Sequence, residues 1–111
     1  MAYRERGFFD KALKELQAAV KDEARNIGSL HLMGLCFEEK NMLDIATKQL
    51  EKASEKLTAV NDEKKAVLYD LGRIYEKMNQ EQKAFDKYKE IYEVDIGYKD
   101  ISEKIEKAYP K

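Results

Sequence analysis

Cysteine, proline, histidine and tryptophan are almost missing from this chain of 111 residues, which holds one Cys, one Pro, one His and no Trp. The single Cys36 excludes an internal disulfide and a thiolate cluster for zinc. One proline, Pro110, and five glycines leave long stretches without helix breakers. Neither sign of charge dominates: cutting after Val60 leaves 10 basic and 10 acidic residues before it, and 11 and 12 after it. Without a basic stripe to displace counterions from phosphates, nucleic acid is not an expected partner. No apolar run approaches the roughly 20 residues that cross a bilayer, and Met1 to Asp10 do not read as a signal peptide. The expectation is a soluble chain with no membrane partner, and a reducing cytoplasm is the expected compartment.

What is abundant is Ala, Leu, Lys and Glu, all strong helix formers. A chain of this size can bury roughly 60 to 70% of its unfolded surface and so form one domain with a core. Apolar residues recur at helical spacing in Phe9, Leu13, Leu16 and Val20, in Leu30, Met33 and Phe37, and in Leu68, Leu71 and Tyr75. Turn signals separate these stretches at Gly7, Lys40-Asn41, Val60-Asn61-Asp62, Asn79-Gln80 and Ile96-Gly97. The reading is all-α, with about six helices near 8–23, 26–40, 42–59, 62–78, 80–94 and 98–108. Joints this short make sequential helices antiparallel.

The helices repeat. Tyr3, Phe37 and Tyr75 each stand four residues before Gly7, Asn41 or Asn79, and Ala12, Ala46 or Ala84 follows five residues later. Gly34 to Ala46 and Gly72 to Ala84 are both 12 residues apart, so the second spacing between alanines, 38 against 34, places four extra residues after Ala53. Such an insertion predicts a second helix longer by about one turn.

The pattern reads Leu30-x-x-Met33-Gly34-x-x-Phe37 with Ala46-x-x-x-Leu50, then Leu68-x-x-Leu71-Gly72-x-x-Tyr75 with Ala84-x-x-x-Tyr88. In this it resembles the tetratricopeptide repeats, whose period is about 34 residues. The resemblance covers roughly residues 3 to 95. It departs from the family in lacking the signature Trp, in Ile91 at a position usually small, and in Ile96 where the family has Pro. The resemblance implies a short right-handed solenoid of helix hairpins over a single domain, 1–111. Its parts would be a truncated repeat at 3–25, repeats at 27–60 and 65–96, and a capping helix at 98–109. The cap would carry Tyr98, Ile101, Ile105 and Ala108 on its apolar stripe, and cover the terminal face. The surface around Phe9, Leu13 and Val20 would lack a local partner. That predicts either a longer parent array or self-association through the amino end.

Little points to chemistry. His31 and Cys36 are five residues apart, about 140° around a helix, and cannot share a ligand face. Cys36 reads as a packed residue. Glu38-Glu39 and Asp62-Glu63 read as solvated or first-turn charges, and the glycines belong to the repeat rather than to a phosphate loop. Tyr3, Tyr75 and Tyr88 sit at packing positions. No catalytic group, metal or cofactor is expected. The resemblance does imply a groove lined by first-helix positions, here His31, Leu35, Glu38, Tyr69, Arg73 and Glu76. Tyr69 would be an aromatic anchor and Arg73 a carboxylate or carbonyl binder. With Arg73 the only firm cation on that stripe, a clamp for a C-terminal carboxylate is not expected. The expected function is a non-catalytic scaffold that binds a peptide or helix of another protein. The alternatives are a homo-oligomeric structural module and an accessory region of a larger regulator or enzyme.

Overall fold

A computed structural model describes residues 2–21 and 26–109, with side chains from Gly7 onward. Among the described residues the chain is all-α, in six helices: α1 (Ala2–Ala19), α2 (Asn26–Glu39), α3 (Leu43–Glu55), α4 (Asp62–Lys77), α5 (Glu81–Tyr92) and α6 (Ile101–Glu106). They form two compact units, Met1–Lys56 and Leu57–Lys111. In the first unit α1 and α3 both pack on α2, and in the second α4 and α6 both pack on α5.

The turn inside each hairpin has one design. Asn41 and Asn79 take left-handed backbone angles, with φ 61° and 59°. In each case the Asn N–H reaches the carbonyl three residues back and the next N–H reaches five back: Asn41 to Glu38 and Met42 to Phe37, Asn79 to Glu76 and Gln80 to Tyr75. This is the Schellman closure, and Asn accepts it where most side chains would be strained. Because the next helix starts within a few residues and packs on the last, each hairpin is antiparallel.

Small residues then set how close the helices come. A methyl group added at Gly34 would lie 2.6 Å from Leu50 Cγ and 2.8 Å from its Cδ2. One added at Gly72 would lie 2.6 Å from Tyr88 Cζ and 2.8 Å from its Cδ1. Leu50 and Tyr88 are therefore pressed onto the bare backbone of the facing helix, and Ala46 and Ala84 are buried beside them. The same two-helix joint is built twice, with a leucine in one unit and a tyrosine in the other.

Three expectations are corrected. Gly7 is not a turn, because α1 runs through it without a break; a mid-helix Gly costs about 1 kcal/mol against Ala and does not by itself end a helix. The truncated repeat therefore has no joint there; the side chain of Tyr3 and residues 22–25, including the expected helix end at 23, lie outside the described residues. The four extra residues do not lengthen α3, which stops at Glu55, where the Lys56 N–H turns back to the Ala53 carbonyl. They fall in the connection 56–61, at the boundary between the two units. Lys64 Nζ donates to the Leu57 carbonyl at 2.8 Å, and Asn61 caps α4 by accepting from the Lys64 N–H at 2.9 Å. The terminal helix is also shorter than expected: Tyr98 to Asp100 precede α6 as turn, and Ala108 is exposed beyond it. Its anchors are Ile101 and Ile105, both buried.

Candidate functional site

The six expected contact residues fall on two helices, three in each unit. On α2, His31 and Leu35 are half-buried, whereas Glu38 is only 8% exposed and has little surface to offer a partner. On α4, Tyr69, Arg73 and Glu76 are all half-buried.

The α4 stripe is largely occupied by its own unit. The Tyr69 hydroxyl donates to Asp100 Oδ1 at 2.6 Å, its ring meets those of Tyr88 and Tyr98 with centroids 5.9 and 6.0 Å away, and Lys99 Nζ lies 5.0 Å from its centroid. That donated bond stabilises the protonated phenol, and with burial and the Asp100 charge it pushes the Tyr69 pKa up to about 12. The same bond holds the Asp100 carboxyl below its usual range. Glu76 accepts from the Tyr88 hydroxyl and from Lys104 Nζ, the latter at 3.0 Å. Burial pushes Glu76 up, but these two partners outweigh it and its pKa is lowered. Burial, reinforced by the bond to Glu76, pushes Tyr88 well above the ordinary phenol range. Arg73 reaches Asp70 on its own helix at 3.2 Å. The expected aromatic anchor is thus tied to the turn before α6, and Glu76 is tied to α6 itself.

The α2 stripe differs in kind. From Asn26 to Phe37 there is no Lys, Arg, Asp or Glu, in a chain that is 39% charged. Leu30 and Met33 point inward and are buried, but Leu32, one turn from Leu35, is 53% exposed. Leu32 was not expected as a contact residue. Its signal was legible: a leucine outside the core stripe, on a helix with apolar residues all round.

Cys36 is half-buried, and burial with the nearby Glu39 raises its pKa, which keeps the unreactive thiol form dominant. Among the described residues no group of three or more His, Cys, Asp or Glu side chains is placed to hold a metal ion. Also among them, no helix is long and apolar enough to cross a membrane.

Fold and surface together define an all-α chain of antiparallel helix hairpins whose outward features are apolar and ionic side chains. No protein-family model matches the sequence, and no curated protein matches it. Among solved structures it is similar to a crystal structure of MamA protein, at 19% identity over 96% of this chain and 74% of that chain, with a TM-score of 0.41. It is also similar to a second crystal structure of MamA, at 19% identity over 96% of this chain and 80% of that one, with a TM-score of 0.40.

Proposed function

We propose that this chain is a tetratricopeptide-type protein-interaction module, with no chemistry of its own, that binds a peptide or helix of another protein through the first helices of its hairpins. The observation that carries the reading is the run 26–37 of α2, free of Lys, Arg, Asp and Glu, which turns Leu32 outward beside Leu35 and His31. An exposed apolar stripe costs solubility and is kept where a partner covers it. On α4, Arg73 contributes at the edge, while Tyr69 and Glu76 act chiefly by holding the α6 segment in place.

The test is a pull-down that compares the wild-type chain with a Leu32→Glu/Leu35→Glu variant, with helicity and melting followed by circular dichroism. Loss of a defined partner set at unchanged helicity is expected. An identical partner set from both proteins refutes the reading. A homo-oligomeric role is the second reading, favoured by Phe8, which is 68% exposed on α1 next to Phe9. Sedimentation of wild type and Phe8→Ser over a wide concentration range decides it, since a stable monomer throughout rules it out.

A further inference from the structure

The first unit carries a recess apart from the outward α2 stripe of Leu32 and Leu35. It is an open cleft of about 580 Å³, within the size range of ligand-binding clefts. Leu30, Met33 and Phe37 of α2 form its floor, and Ile45 of α3, 38% exposed, stands at its mouth. Val20, just past the end of α1, completes the apolar lining.

Two features give the cleft a chemical direction. Its lining among the described residues includes two cations, Lys52 and Lys56, and no carboxylate. The two lysines are four residues apart, Lys52 in the last turn of α3 and Lys56 just past its end, and among the described residues neither has an ion-pair partner. The second feature is Asn26, also in the lining. Its Nδ2 donates to the Val20 carbonyl at 2.7 Å, which fixes which way the amide points. Its Oδ1 is buried and, among the described residues, accepts no hydrogen bond. Unpaired buried acceptors are rare in folded proteins and mark a place where a donor is wanted.

We propose that this cleft is a docking site for an acidic, amphipathic peptide segment of another protein. Apolar side chains of the segment enter past Ile45 onto Leu30, Met33 and Phe37. A backbone N–H of the segment donates to Asn26 Oδ1, and its Asp or Glu carboxylates pair with Lys52 and Lys56. A fatty acid would satisfy the floor and the lysines, but it brings no donor for Asn26. A peptide brings all three groups.

The experiment selects random dodecamer peptides, displayed on phage, on the immobilised 111-residue chain and measures the winners as labelled synthetic peptides by fluorescence anisotropy. Enrichment of Asp and Glu next to Leu, Ile or Phe is expected. Lys52→Glu/Lys56→Glu, at exposed positions that leave the helicity intact, should weaken such a peptide by about tenfold or more, and added salt should weaken its binding to the wild type. Methyl resonances of Met33 and Ile45 should shift on binding. Failure to enrich acidic sequences, binding indifferent to the lysine changes, or a chain that buries Ile45 against its own second copy would each overturn the proposal. Shifts confined to Leu32 and Leu35 would overturn it too, while supporting the α2 stripe, so the two readings fail separately.

Discussion

The two hairpins share a backbone plan and differ in what closes them. In the first, Leu50 lies against Gly34, and the joint is aliphatic. In the second, Tyr88 takes the same place against Gly72, and its hydroxyl reaches across to Glu76, which also receives Lys104 of α6. A purely apolar wedge ends at its own surface, whereas a tyrosine brings a polar tip that must be satisfied when buried. That requirement draws α4, α5 and α6 into one network and consumes much of the α4 stripe. The first hairpin has no such tip, and its first helix keeps an uncharged stripe at the surface.

The sharpest way to break the comparison is to give the second hairpin the wedge of the first. Tyr88→Leu removes a buried ring and leaves Glu76 without its phenol donor. A cost of about 2–3 kcal/mol is expected from the cavity and the lost bond. Urea unfolding of wild type and variant measures it. A cost below about 0.5 kcal/mol, the scale of ordinary surface changes, would show that the tyrosine is not the keystone of the second unit.

The next effect in size comes from the glycines. Gly72→Ala drives a methyl into a ring that Glu76 holds in place, and Gly34→Ala drives one into Leu50 and to 3.2 Å from the Ala46 carbonyl. Overpacking costs about 1–3 kcal/mol, set against about 1 kcal/mol returned by the better helix propensity of alanine. Net destabilisation is expected at both sites, larger at Gly72 because the ring is pinned and the leucine can change rotamer. Equal losses of melting temperature would show that the Tyr88 tether adds no rigidity.

These joints were the most legible part of the sequence, because they depend on residues at short, repeated offsets: Gly34 with Ala46 and Leu50, Gly72 with Ala84 and Tyr88. The left-handed ends at Asn41 and Asn79 were legible for the same reason. Two kinds of feature were not. The four residues after Ala53 have helix-compatible side chains up to Leu57, and nothing local says that the helix yields to a loop held by Lys64 from the following helix. The role of Tyr69 was hidden because its partner, Asp100, lies 31 residues further along, as Lys104 lies 28 beyond Glu76. Helical spacing places a side chain on a face, but only the packed unit says whether that face is already taken.

The smallest expected effect sharpens that last point. Tyr69→Phe keeps the ring among Tyr88 and Tyr98 and removes only the bond to Asp100, so a loss of about 1 kcal/mol is expected for a half-buried pair. The bond also has a pH signature. Its folded pKa, about 12, lies above the ordinary 10 of an unfolded tyrosine. The contribution is therefore complete up to about pH 10 wherever Asp100 is ionised, and is lost as pH rises toward 12. Urea unfolding at rising pH should bring the wild type and Tyr69→Phe together over that window, while ultraviolet titration shows one late-ionising phenol fewer in the variant. If Tyr69→Phe matches the wild type at pH 7, the hydroxyl is not committed to Asp100, and Tyr69 returns to the set of side chains available to a partner.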